Sequence, residues 1–220
     1  MPLNVNGTGM TRVNVNGTRM SVVNVNGTEV YRAENGNVTF VGTGYSFNPG
    51  IEDANRHFVL VGGVFSGSAL GGQPVPTVNG ASCTTIENNV GNGGGDGGAA
   101  GIFTIKIPTG TGTFSIGNVA NYNFVIYRVT GIFSMTSALS SSSGGGTYNS
   151  SANGCFFGCS VQNFGNAPVP SPNSSGLAFS GVFGRDVSIA ASNTTTGPTQ
   201  SVSLGGNQVN AGATFAYDLF

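Results

Sequence analysis

The sequence has no tryptophan, one histidine and three cysteines, and only 7% of its 220 residues are charged. Each shortage closes a class of function. With His57 as the lone histidine, a Ser-His-Asp triad would have to be built on it, beside Arg56 at the start of an apolar run. No Gly-x-Ser-x-Gly elbow and no His-Glu-x-x-His pair occurs. Zinc takes about four ligands, and Cys83, Cys155, Cys159 and His57 are the whole stock of sulfur and imidazole. Cys155 and Cys159 flank Phe156-Phe157-Gly158, a core-like setting that reads as free thiols, with no metal site. The three cysteines agree with a reducing compartment.

The seven basic residues are scattered singly and the formal net charge is −1. Nucleic-acid binding depends on clustered Lys and Arg that neutralise phosphates, so no nucleic-acid partner is expected. The eight carboxylates are Glu29, Glu34, Glu52, Asp53, Glu87, Asp96, Asp186 and Asp218. No pair among them stands out by spacing as the acid and base of a glycosidase. Asp96 lies in a Gly93–Gly98 stretch that lacks the Lys-Ser/Thr of a phosphate loop and the extra carboxylates of a calcium loop. The absence of tryptophan lowers the case for stacking on sugar rings. The apolar stretch from Phe58 to Leu70 is broken by Gly and Ser and too short to span a bilayer. The polar start, MPLNVNGTGM, lacks the apolar core of a signal peptide. The expectation is a non-enzymatic chain with no cofactor, no metal and no membrane, assembled in a cytoplasm.

What is present is glycine, 38 residues of it, with 38% hydrophobic residues. Short runs of Val, Ile and Phe, separated by turn residues, predict many short strands and no helix. The most regular feature is NVNGT at Asn4–Thr8, Asn14–Thr18 and Asn24–Thr28, a ten-residue period, with a further Asn35-Gly36. Asn-Gly between β-formers favours type I′ turns, which need positive φ at both central positions. The pattern predicts a small antiparallel meander over residues 1–36. Its apolar supply is too thin for a core, so it must dock or oligomerise. Val5, Asn6, Gly7, Val15, Asn16, Gly17, Val25, Asn26 and Gly27 are the residues expected to do so. Asn6, Asn16 and Asn26 also match the N-glycosylation triplet, but turn chemistry already accounts for them.

Residues 37–220 form the expected main domain. His57–Phe65 and Asn123–Thr130 are apolar on both faces and predict central strands. Further strands are expected at Val38–Val41, Phe103–Ile107, Phe114–Ile116, Cys155–Val161, Asp186–Ala191, Gln200–Leu204 and Thr214–Leu219. Eight to ten strands suit an antiparallel two-sheet jelly-roll sandwich. Asn88–Gly101 and Ser137–Gly154, rich in Gly and Ser, are expected to be long surface loops.

Four stretches resemble a jelly-roll module of tailed-bacteriophage virion accessory proteins. They are Arg56–Phe65, the Pro76–Ala81 hairpin, the Pro108-Thr109-Gly110 turn with the strand to Ile116, and Phe124–Gly131. The resemblance covers roughly residues 45–220 and carries no catalytic motif. It implies a capsid decoration or head-fibre protein on the outer capsid surface of a virion, with the major capsid protein as partner and a homotrimer as assembly. The rival expectation is a tail-associated receptor-binding module whose Gly/Ser loops meet a host glycan. Fold transfers more safely than role in such likenesses.

Overall fold

The computed structural model describes the backbone of 3–5, 8–10, 14–15, 18–19, 22–25, 28–32, 37–66, 68, 70–71, 74–93, 96–119, 121–130, 133–136, 140–141, 146–149, 154–161, 180–183, 187–193, 201–204 and 209–217. Side chains are described within 38–66, 68, 70–71, 74–91, 97–119, 121–130, 156–161, 187 and 189. The described residues contain strands and no helix.

Six short strands come first: β1 (Leu3–Val5), β2 (Thr8–Met10), β3 (Asn14–Val15), β4 (Thr18–Arg19), β5 (Val22–Val25) and β6 (Thr28–Arg32). They pair as three separate antiparallel ladders, β1-β2, β3-β4 and β5-β6. The innermost partners are Val5↔Thr8, Val15↔Thr18 and Val25↔Thr28. In the sequence one Asn-Gly dipeptide separates the innermost partners of each ladder; these dipeptides lie outside the described residues. No ladder among the described residues joins the three into one meander. The expected boundary at residue 36 falls outside the described residues.

The middle of the chain supplies β7 (Asn37–Thr43), β8 (Ser46–Phe47), β9 (His57–Ser66), β10 (Thr77–Val78), β11 (Ala81–Ser82), β12 (Thr84–Gly93), β13 (Asp96–Lys106), β14 (Phe114–Gly117) and β15 (Asn123–Thr130). Five of these form an antiparallel sheet in the order β12-β13-β9-β15-β7, and four form a smaller one, β11-β10-β14-β8. The rest of the chain adds β16 (Phe133–Thr136), β17 (Ser140–Ser141), β18 (Gly146–Asn149), β19 (Gly154–Val161), β20 (Ser180–Phe183), β21 (Val187–Asn193), β22 (Ser201–Leu204) and β23 (Val209–Tyr217). Of these, β16-β23-β19-β21-β20 make a further antiparallel sheet.

The five-stranded sheet is covered on both faces. Strand side chains alternate between faces, and the two cores follow that alternation. Val59, Val61, Ala100, Ile102, Val125, Tyr127 and Val129 pack against Phe157, Cys159, Val161, Val187 and Ile189 of β19 and β21. Phe58, Leu60, Val64, Ala99, Phe103, Phe124 and Ile126 face the other way, onto Phe47, Val78, Phe114 and Ile116 of the small sheet. This is why β9 and β15 read as unbroken apolar runs: neither face meets water. Rings lock both layers. Phe58 lies 4.9 Å from Phe47 and 5.7 Å from Phe114, and Tyr127 lies 5.0 Å from Phe157 across the other interface.

The Asn88–Gly101 stretch departs from the surface loop expected of it. Its ladder runs from Thr84↔Thr104 to Gly93↔Asp96, and Gly97, Gly98, Ala99, Ala100 and Gly101 are buried on β13. Two buried glycines make room for a neighbouring side chain, Gly101 for Phe103 of its own strand and Gly63 of β9 for the layer of β19 and β21. A Cβ on Gly101 would sit 2.5 Å from the Phe103 ring, and one on Gly63 of β9 would sit 2.7 Å from Cys159 Sγ. Flanking partners on β9 and β12 supply the order that glycine cannot supply itself.

Candidate functional site

The chemistry-bearing residues of the described region are built into structure. Arg56, just before β9, is fully buried. Its guanidinium donates five hydrogen bonds to backbone carbonyls. Nε reaches Ile107 O at 2.8 Å. Nη1 reaches Gly50 O at 3.2 Å and Ile51 O at 2.9 Å. Nη2 reaches Thr109 O at 2.8 Å and Gly110 O at 2.9 Å. All five donors of the planar fork are thereby satisfied. The same group stands 5.4 Å from the Phe58 ring centroid and 5.7 Å from that of Phe114, within cation–π range.

The two segments that Arg56 joins are also tied to each other. Glu52 Oε1 accepts from Gly110 N, and Asp53 N donates to Pro108 O at 3.1 Å. Asp53 Oδ1 takes Asn55 N, and Arg128 Nη1 reaches Pro49 O at 3.3 Å. Glu52 and Asp53 thus hold loops. At the tip of this clasp Ile51 is 82% exposed, the most exposed large apolar residue described. Gly50 adopts φ +72, and a Cβ there would collide with Arg128 Nη1.

His57 is half-buried, with Nδ1 2.9 Å from Asn55 O. A carbonyl only accepts, so Nδ1 carries the proton in this arrangement. Burial lowers its pKa, helped by Lys106 and opposed by the Asn55 bond. Cys83 and Cys159 are free buried thiols in different cores, on opposite sides of the five-stranded sheet. Burial pushes Cys83 up to about 12 and Cys159 higher still; buried apolar thiols of this kind are inert. The side chain of Cys155 lies outside the described residues. Glu87, half-buried next to a bulge in β12, is raised by desolvation. Among the described residues no three His, Cys, Asp or Glu side chains gather as a metal site.

The remaining site candidates are the Asn-Gly turns. Of the nine residues expected to dock or oligomerise, Val5, Val15 and Val25 occupy equivalent positions, each in the innermost rung of its ladder. Asn6, Gly7, Asn16, Gly17, Asn26 and Gly27 lie outside the described residues. The same Val-Asn-Gly tripeptide recurs at Val78-Asn79-Gly80, where it is described in full. Asn79 has φ +48 and Gly80 φ +82, and Val78 pairs with Ala81. These are the signs of a type I′ hairpin. Asn79 Oδ1 also accepts Ser115 N at 2.9 Å, which fastens the turn to β14.

Sequence reasoning placed Arg56 at a strand start but gave no sign of its five carbonyl partners, which lie up to 54 residues away along the chain. Comparison with protein-family models, with curated proteins and with solved structures returns no match for this chain.

Proposed function

We propose that the chain is a structural protein of a bacteriophage virion, a capsid decoration or head-fibre protein that binds the outer capsid surface. The observation that carries this reading is the pairing of two parts. One is an all-β body whose buried arginine, Arg56, spends all five of its donors on holding its own loops. The other is three short N-terminal ladders in the repeat region, of two to five residues per strand, each too small to have a core. Such hairpins need a partner, and the proposal assigns them docking on the major capsid protein or assembly of a homotrimer, which suits local three-fold positions. The layered antiparallel sheets fit a jelly-roll connectivity as the finer description of the body. A chain lacking residues 1–36 should stay folded and fail to join particles. Incorporation at the parental level would refute the docking role.

One feature favours a second reading, a tail-associated module that binds host glycan. The Arg56 clasp holds two surface loops rigid with Ile51 at the tip, and rigidly presented loops are common contact sites. Immunogold labelling on intact virions separates the two: label on the head supports decoration, and label at the tail tip supports adhesion.

A further inference from the structure

The three N-terminal ladders share one backbone plan. One rung out from each turn, Asn4 pairs with Gly9, Asn14 with Arg19 and Asn24 with Glu29. The position that follows each NVNGT therefore holds a neutral, a positive and a negative residue in turn. Among the described residues no ladder joins one hairpin to the next. Among the described residues the outer edges of each hairpin pair with no further strand, and such edges are ready templates for pairing with another chain.

We propose that these hairpins pair edge to edge with those of a second copy of this chain, staggered by one repeat. The β4 edge of one copy, carrying Arg19, lies along the β6 edge of the next, carrying Glu29. Two other arrangements are disfavoured. Pairing like strands at equal height sets Arg19 against Arg19 and Glu29 against Glu29, and like charges directly opposite each other destabilise a sheet; pairing β4 on β3 or β6 on β5 at equal height sets each charge against Asn14 or Asn24 and matches none. Folding the repeat into a meander within one chain does not unite the pair either. β4 ends at Arg19 and β5 begins at Val22, so a tight turn between them sets Arg19 opposite Val22. Only a stagger between copies brings the two charges together. Each copy then offers one β4 edge and accepts on one β6 edge. Such a head-to-tail contact closes into a ring when the rotation allows. This inference does not depend on the virion reading.

The test is a charge swap in the full-length chain, read by sedimentation and native mass spectrometry across a concentration series. Arg19→Glu and Glu29→Arg should each weaken association by about tenfold or more, since every contact in a ring turns from attractive to repulsive. The double variant should restore parental association, and added salt should shrink the differences. Arg19→Gln and Glu29→Gln should fall between parent and reversal. The proposal is overturned if the single reversals assemble like the parent, if the double variant stays as weak as the singles, or if the parent is monomeric throughout. An oligomer that fails to join particles would refute the capsid role and leave the stagger standing.

Discussion

Replacing Arg56 by lysine keeps the charge and removes the fork. The arginine is fully buried and serves five carbonyls from two segments, Gly50-Ile51 and Ile107–Gly110. An ammonium has three donors on one nitrogen and cannot span both segments, so at least two carbonyls lose their partner. Net hydrogen bonds to charged groups are worth about 1.5–3 kcal/mol each, and water can reach part of these surface loops. The expected loss is therefore about 3 kcal/mol. For a chain of this size that corresponds to a fall in Tm of about 6–12 °C. Urea unfolding should show a lower midpoint with an unchanged slope, and protease should cut the loops around Ile51 and Thr109 sooner. A variant within 1 kcal/mol of the parent, with unchanged cleavage, would show that the clasp does not hold the fold.

Other outcomes follow from the same structure. Gly63→Ala should destabilise by about 1–3 kcal/mol, because its Cβ would sit 2.7 Å from Cys159 Sγ and 2.8 Å from Val187 Cγ1; adding Cys159→Ala should recover part of that loss, and strict additivity in unfolding experiments would contradict the contact. Asn79→Ala should cost about 1–2 kcal/mol through the positive φ and the lost Ser115 bond, readable as a lower urea midpoint. Stability should also fall in alkali. The unfolded thiols ionise near pH 8.5, whereas folded Cys83 is held up to about 12 and Cys159 above that. The unfolded state thus releases its protons first, so stability is complete below about pH 8.5 and declines by about 1.4 kcal/mol per pH unit per thiol above it. Urea melts of the parent and of the Cys83→Ala, Cys159→Ala variant should diverge above that pH; parallel profiles would refute the burial argument. His57 acts in the opposite window. Its lowered pKa means that stability is lost as pH falls below about 6.5, and His57→Asn should flatten that part of the profile.

The central strands were legible because a strand buried on both faces writes itself as an unbroken apolar run. His57–Phe65 and Asn123–Thr130 match β9 and β15 within a residue. The Pro76–Ala81 hairpin was legible for a local reason too: positive φ at two successive positions leaves few residue choices, and Asn79-Gly80 takes that geometry. The small outer sheet was less legible. Its strands β8, β10 and β11 are two residues long, too short to carry a two-residue period. Asn88–Gly101 misled because glycine signals a loop when read alone. Here the stretch is ordered by its ladders to β9 and β12, and Gly101 leaves room for the Phe103 ring two residues along its own strand. Arg56 combined both difficulties: the residue was visible, but its partners are backbone atoms, which leave no mark on side-chain identity.

The sheet covered on both faces also governs how the chain reaches its fold. β9 bonds to β15 and β13, and beyond the nearby β8 and β10 its two faces await β14 on one side and β19 and β21 on the other. β13, β14, β15, β19 and β21 are all distant from it in sequence, so many long-range closures must precede the stable centre. Folding of such topologies falls in the millisecond-to-second range. Until the covers arrive, Phe58–Val61 is a bare apolar strand, the segment through which a growing or heated chain would aggregate. Crowded synthesis should therefore yield inclusion bodies more readily than the stability of the finished protein would suggest.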